Sequence, residues 1–354
     1  MILVDKNSNF NYFSFVYKIL SVFLIAILVF SCEKAPVNIE PVEITGSTMG
    51  TTYSIKISDL PPQLTPHQLK SDIDRRLDDI NQQMSTWQPD SILSRFNAST
   101  DLQWFDIPQD TLTVISESKR VSEISSGAFD VTVGGLVDLW GFGKTDREGL
   151  IPNEQEIKKQ INQVNFKKVR IRRDPPAIKK DNPEITLNLS AIAKGYGVDQ
   201  VAELLKKKNM YNFLVEIGGE IITSGEKQPQ KPWIIAIERP IIAKRAIQKI
   251  ILLKNRGLAT SGDYRNYFEK EGKRYSHTID PKTGRPIVHN LASVSVIHDS
   301  CMTADALATA LMVMGPDKGY QLAVEKKLAI FMIIRTQKGF EEKTTLKFNR
   351  YFQP

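Results

Sequence analysis

Between Leu69 and Met84 the apolar residues Leu69, Ile73, Leu77, Ile80 and Met84 recur at three- and four-residue spacing. That period predicts an amphipathic helix. Thr65-Pro66 supplies its start, a side-chain cap followed by a proline at the first helical position. A second helix is predicted from Asp110 to Ile124, ended by Gly127. Asn153 and Glu156 make a capping box for a short third one. Elsewhere the period falls to two. Tyr53–Ile57, Phe213–Ile217, Trp233–Ile237, Ile247–Leu253, Leu258–Ser261, Leu291–Ile297 and Ala329–Ile334 read as strands. Ile185 to Asn188 also reads as a strand, turning at Leu189 into a helix that reaches about Lys208. A helix beginning near Thr303 is predicted to stop at Gly315-Pro316, with another helix between there and the Ala329 strand. No internal repeat is visible. The pattern predicts an α/β (mixed α+β) fold: a single large catalytic domain over 42–354, with mixed sheets flanked by helices.

The first 41 residues follow a different pattern. Lys6 and Lys18 precede an apolar run of 12 residues, Ile19 to Phe30, which ends at Ser31-Cys32. The run is short of the roughly 20 residues a spanning helix needs. It reads as a lipoprotein signal peptide over 1–31, with Cys32 the lipidated first residue of the mature chain and 32–41 a tether. The expected location is the bacterial cell envelope, lipid-anchored to a membrane at its periplasmic face. With only two cysteines in the chain, Cys301 is left alone and reads as a buried structural thiol. The net charge of +7 is scattered rather than gathered in one arm. No zinc-finger spacing, basic heptad or RNA-binding signature accompanies it, so no nucleic-acid partner is expected.

Candidate chemistry concentrates between His277 and Thr309. His277 sits three residues before Asp280, at the mouth of a Pro281-Lys282-Thr283-Gly284 turn, and the two form a candidate catalytic pair. Asp305 and Thr309 are one helical turn apart, a spacing that can present two oxygen ligands to a hard cation such as Mg²⁺. Asp305 could equally be a first-turn acid, and Thr309 a buried residue on an alanine-rich face. Near Asn188–Lys194 the start of a helix offers free N–H groups to phosphate, with Lys194 as a point charge or a plain surface lysine. Neither a P-loop nor a dinucleotide fingerprint occurs.

Taken together, GSTMGT, MSTWQPDSILSRFN, SSGAFDVTVGGLVDLWGFG, NLSAIAKGYGVD, GLATSGDY, HTIDPKTGRP and TADALATAL, in this order from Gly46 to Gly315, resemble the ApbE family, the FAD:protein FMN transferases. The resemblance implies an ApbE-type domain that transfers the FMN half of FAD onto a Thr or Ser hydroxyl of a target protein and releases AMP. It implies Mg²⁺ as cofactor and FAD as substrate, with Nqr- or Rnf-type electron-transport subunits as acceptors. It places Met49, Trp87, Ala128, Phe129 and Asp130 along the flavin, Lys194 at the phosphates and Ile279 near the cofactor. It gives the metal the Ala191 carbonyl with Asp305 and Thr309, and makes His277 similar to the family's candidate base. Asn188 departs from the pattern, since many members carry Asp there; the change keeps hydrogen-bonding capacity and removes a charge. Two other functions are consistent with the same residues: an FAD pyrophosphatase giving FMN and AMP, and a non-enzymatic flavin-binding lipoprotein.

Overall fold

In the computed structural model, eight strands hydrogen-bond in the order in which the chain makes them. They are β1 (Val42–Thr48), β2 (Thr51–Ile57), β3 (Phe213–Ile217), β4 (Glu220–Ser224), β5 (Gly257–Gly262), β6 (Leu291–His298), β7 (Ala329–Thr336) and β8 (Gly339–Thr344). Every neighbouring pair is antiparallel. The structure describes residues 40–145, 147, 149–241, 246–264 and 266–352. The predicted signal peptide, Cys32 and nearly all of the tether lie outside them. Residues from Pro41 onward form one compact unit.

Period-two alternation sorts the side chains of this sheet onto two faces. On one face Ile55, Val215 and Ile222 pack beneath helices, as Val294, Val296 and Met332 do further along. Those helices are α1 (Pro66–Met84), α2 (Gln109–Ile124), α3 (Ser190–Lys207) and α4 (Cys301–Glu325). The Thr65 hydroxyl accepts the Gln68 N–H at 3.2 Å while the Gln68 side chain reaches back to Thr65, so the predicted α1 start is a complete capping box. All five periodic residues of α1 are buried, each contributing about 1.5–3 kcal/mol relative to exposure. The opposite sheet face is covered at its C-terminal half by a separate hairpin, Trp233–Glu238 with Ile247–Leu253. Ile235, Ile237, Ile251 and Leu253 pack there on Leu258, Ile297 and Phe331.

One sequence expectation changes in detail. Ile185–Asn188 is not a strand: it makes one isolated bridge, Thr186 to Val133, and Asn97 holds Leu187 through both its backbone N–H and its carbonyl. Side-chain amide bonds satisfy a backbone that strand pairing would otherwise have to satisfy. Gly315 (φ 78°) breaks α4 and helix resumes at Pro316 and runs on to Glu325, the two successive helices that the sequence predicts. Proline at the start of a new turn needs no N–H partner, so the second helix follows the first directly.

Helices α3 and α4 cross closely, which brings the two predicted ligand segments together. A side chain at Gly195 would strike the Cys301 carbonyl. Asp199 on α3 caps α4: its carboxylate accepts the backbone N–H groups of Cys301 (2.8 Å) and Met302 (3.0 Å) and the Ser300 hydroxyl (2.7 Å). These bonds fill the orphan donors of the α4 N-terminus. Cys301 is fully buried and its thiol is pushed well above its usual range by burial, then by nearby carboxylates. It is a free, buried thiol, as expected.

Candidate active site

Two tight turns open the site. Met49-Gly50 joins β1 to β2 and Gly218-Gly219 joins β3 to β4, each a two-residue loop with both φ angles positive. That is the backbone requirement of a type I′ hairpin turn. Met49 (φ 49°) is thereby held in a conformation few side chains adopt. Both turns border a cleft of ≈ 1080 Å³.

The sequence-predicted flavin residues Met49, Trp87, Ala128, Phe129 and Asp130 all border that cleft. Trp87 is 68% exposed, so its ring face is open to a ligand. Asp130 behaves differently. Its oxygens are already taken by the Thr132 N–H (2.9 Å) and hydroxyl (2.6 Å) and by the Phe166 N–H (2.8 Å). Burial nevertheless raises its carboxyl above the ordinary range. It clamps the loop that presents Ala128 and Phe129. Asn188 also borders the cleft, and its side-chain oxygen accepts the Ser190 N–H at 2.9 Å at the start of α3.

Ala191, Lys194, Asp305 and Thr309 meet at the α3–α4 crossing, all on the same cleft. Asp305 Oδ2 accepts the Gly195 N–H at 3.1 Å. In a regular helix that N–H would be aimed at the Ala191 carbonyl, four residues earlier. Ser261 and Thr309 share a hydroxyl–hydroxyl bond of 3.2 Å. A carboxylate, a hydroxyl and a backbone carbonyl on this one cleft are oxygen donors of the kind that could hold a hard cation.

Glu220 is the residue the sequence reading missed. Its carboxylate lies 2.8 Å from Lys194 Nζ and is 3% exposed. Burial, aided by Asp305 and opposed by Lys194, pushes it up to about 7. Burial works against the Lys194 charge too, but Asp305 and Glu220 together win and raise its ammonium above the ordinary range. Asp305 is itself raised by burial, against the pull of Lys194. The available sequence signal was a lone acid directly after a Gly-Gly turn, followed by Ile221 and Ile222.

His277 lies across the cleft. Its Nδ1 is 2.8 Å from the Asn266 carbonyl oxygen. A carbonyl only accepts, so Nδ1 carries the proton and Nε2 keeps its lone pair. Burial lowers its pKa, and the Lys194 charge adds to the effect. The expected partnership with Asp280 is not made. Asp280 Oδ1 accepts the Lys282 N–H at 2.9 Å and its carbonyl accepts that of Gly284, so it shapes the turn instead. Ile279, buried, borders the cleft beside it. Trp140 braces the same turn from below, its indole N–H on the Gly284 carbonyl at 2.8 Å and its ring stacked on Tyr275.

A buried cluster of one cation and two acids, within the same cleft as an imidazole ready to accept a proton, is the arrangement of an enzyme. The chain belongs to the ApbE family, whose model matches residues 49–332. It is 45% identical over 325 residues to the FAD:protein FMN transferase of Vibrio cholerae serotype O1, covering 92% of this chain and 96% of that one. It is 42% identical over 325 residues to the enzyme of that name from Haemophilus influenzae, covering 90% and 93%. The fold superposes on the solved flavin transferase ApbE from Vibrio cholerae with a TM-score of 0.82 at 44% identity, over 88% of this chain and 99% of that one.

Proposed function

We propose that this protein transfers the FMN moiety of FAD onto a Thr or Ser hydroxyl of a target protein and releases AMP. The observation that carries the reading is the shared cleft: His277, with Nε2 unprotonated, lines the same cavity as Lys194, Asp305 and Thr309. The hydroxyl oxygen attacks the FMN-side phosphorus, the bond from that phosphorus to the bridging oxygen breaks, and AMP departs with the bridging oxygen. His277 Nε2 takes the hydroxyl proton, which a neutral imidazole can do at pH 7. Lys194 sets a positive charge against the phosphates, and Glu220 and Asp305 hold that lysine charged. Trp87, Met49 and Phe129 offer the apolar wall for the isoalloxazine ring.

The Ala191 carbonyl, Asp305 and Thr309 would hold Mg²⁺, which neutralises pyrophosphate charge when bound. The relatives' name supports the transferase reading over a pyrophosphatase or a passive flavin carrier. Acceptors of the Nqr or Rnf type, and a lipid anchor at Cys32 on the periplasmic face, complete the reading. Incubation with FAD, Mg²⁺ and a verified flavin-accepting electron-transport subunit of the Nqr type should leave covalent flavin fluorescence on the subunit in a denaturing gel. A dark band would overturn the transferase reading. Rapid FMN release from FAD with no acceptor present would favour the pyrophosphatase.

A further inference from the structure

Among the described residues the strand Trp233–Glu238 pairs with one strand, Ile247–Leu253, which leaves the other backbone edge of residues 233–237 without a strand partner. Five consecutive residues of it, from Ile234 to Glu238, border the active-site cleft. Neighbouring side chains on a strand point to opposite faces. Both kinds can meet one cavity only where that cavity runs along the strand's edge. The far side of the cavity is floored by Ser54, Lys56, Leu214 and Glu216, alternate residues of β2 and β3 on the sheet face that the helices leave uncovered. The result is a trough with a backbone edge for one wall and a largely polar floor. It opens without interruption onto Lys194 and His277.

We propose that this edge is the docking track for the acceptor polypeptide, which adds to residues 233–237 as an extended strand and so delivers its hydroxyl to His277. The inference rests on the transferase reading and names how its second substrate is held. That substrate is a polypeptide, and its backbone N–H and C=O groups need partners when it enters a cleft. An unpaired strand edge supplies those partners whatever the side chains are. The residues assigned to FAD come from other elements, which leaves the edge to the acceptor. Ile234, 62% exposed, and Ile247, 63% exposed, add apolar grip where the hairpin meets the cleft. An exposed edge could also pair with a second copy of this chain, which the test separates.

The test uses the whole protein and a verified flavin-accepting subunit of the Nqr type. Ile234→Asp places a charge on an exposed position without entering the core, and is expected to raise KM for the subunit at least tenfold while the FAD Kd stays within twofold. As a second measurement, hydrogen exchange of the 233–238 amides should slow at least tenfold when the subunit is added to His277→Ala protein holding FAD. An unchanged KM, or amide protection confined to other segments, overturns the docking track. Protection of 233–238 that grows with protein concentration alone assigns the edge to self-association and overturns it too. If wild-type protein fails to flavinylate the subunit, the transferase reading falls, an outcome distinct from either of these.

Discussion

Lys194 Nζ and Glu220 Oε2 stand 2.8 Å apart inside the cleft, one carried by the first turns of α3 and the other by the start of β4. The ammonium therefore serves two buried acids, Glu220 and Asp305, both of which raise its pKa. The two ends of the cluster are not equivalent. Lys194→Met leaves two buried carboxylates with no counter-charge, and should cost about 3–5 kcal/mol of unfolding free energy, the range for breaking a buried pair. Glu220→Gln leaves Lys194 with Asp305 and should cost less. Urea midpoints of the two variants, measured at pH 7.5, give the order; the reverse order would falsify the shared-counter-ion account.

Loss of the His277 imidazole should slow flavin transfer by about 10²–10⁴-fold, the usual contribution of a positioned base, while FAD still binds. Asp280→Asn should slow transfer less than tenfold, because Asp280 bonds its own turn and not the ring. Rates for both variants on the same acceptor check the pair. Equal losses would restore a His277–Asp280 dyad.

The pH profile follows from the direction of the His277 shift. Burial lowers its pKa from the usual 6.5, so the base-competent neutral form persists further into acid. Acceptor kcat/KM should be flat near neutrality and fall on the acid side with a midpoint below 6.5. A midpoint above that value would mean the imidazole is held as a cation. His277→Ala should remove the limb altogether.

Chelation offers a test of the oxygen-donor set. In wild type, EDTA should weaken FAD binding and suppress transfer by on the order of 10²-fold or more, restored by Mg²⁺. In Asp305→Asn, added Mg²⁺ should no longer change the FAD Kd. If FAD titrations of the variant respond to Mg²⁺ as wild type does, Asp305 is not a ligand.

Gly195→Ala tests the α3–α4 crossing. Its Cβ would meet the Cys301 backbone, which cannot rotate away. Overpacking of this kind costs about 1–3 kcal/mol. A calorimetric Tm should drop, and Lys194 and Asp305 should separate enough to weaken FAD binding in the same variant. An unchanged Tm would show that the helices can part freely.

Much of the fold was legible because its signals are local. The α1 stripe, the Thr65 cap and the alternating strands depend on residues within a turn or a strand of each other. Ile185–Asn188 misled because its apolar run is buried against Asn97, 90 residues distant in the chain, rather than paired in a sheet. The same limit applied to the site. Asp305 and Thr309 declared themselves by spacing within one helix. Asp280 looked like the partner of His277 because it was near in sequence, yet the Asn266 carbonyl, 11 residues away, took that place.

By itself, then, the sequence determined most of the elements, the family motifs and a set of site residues that nearly all border the cleft, since each follows from short-range pattern and residue chemistry. Only the tertiary structure decided how those residues are charged and aimed. A buried acid acquires its pKa from what surrounds it, and for Glu220 the neighbours are Lys194 and Asp305, from two different helices. The protonated nitrogen of His277 is likewise chosen by a carbonyl from another segment, and the second edge of residues 233–237 lacks a strand partner only because the hairpin packs where it does. Charge, tautomer and exposed backbone depend on distances through space, and one-dimensional order does not carry them.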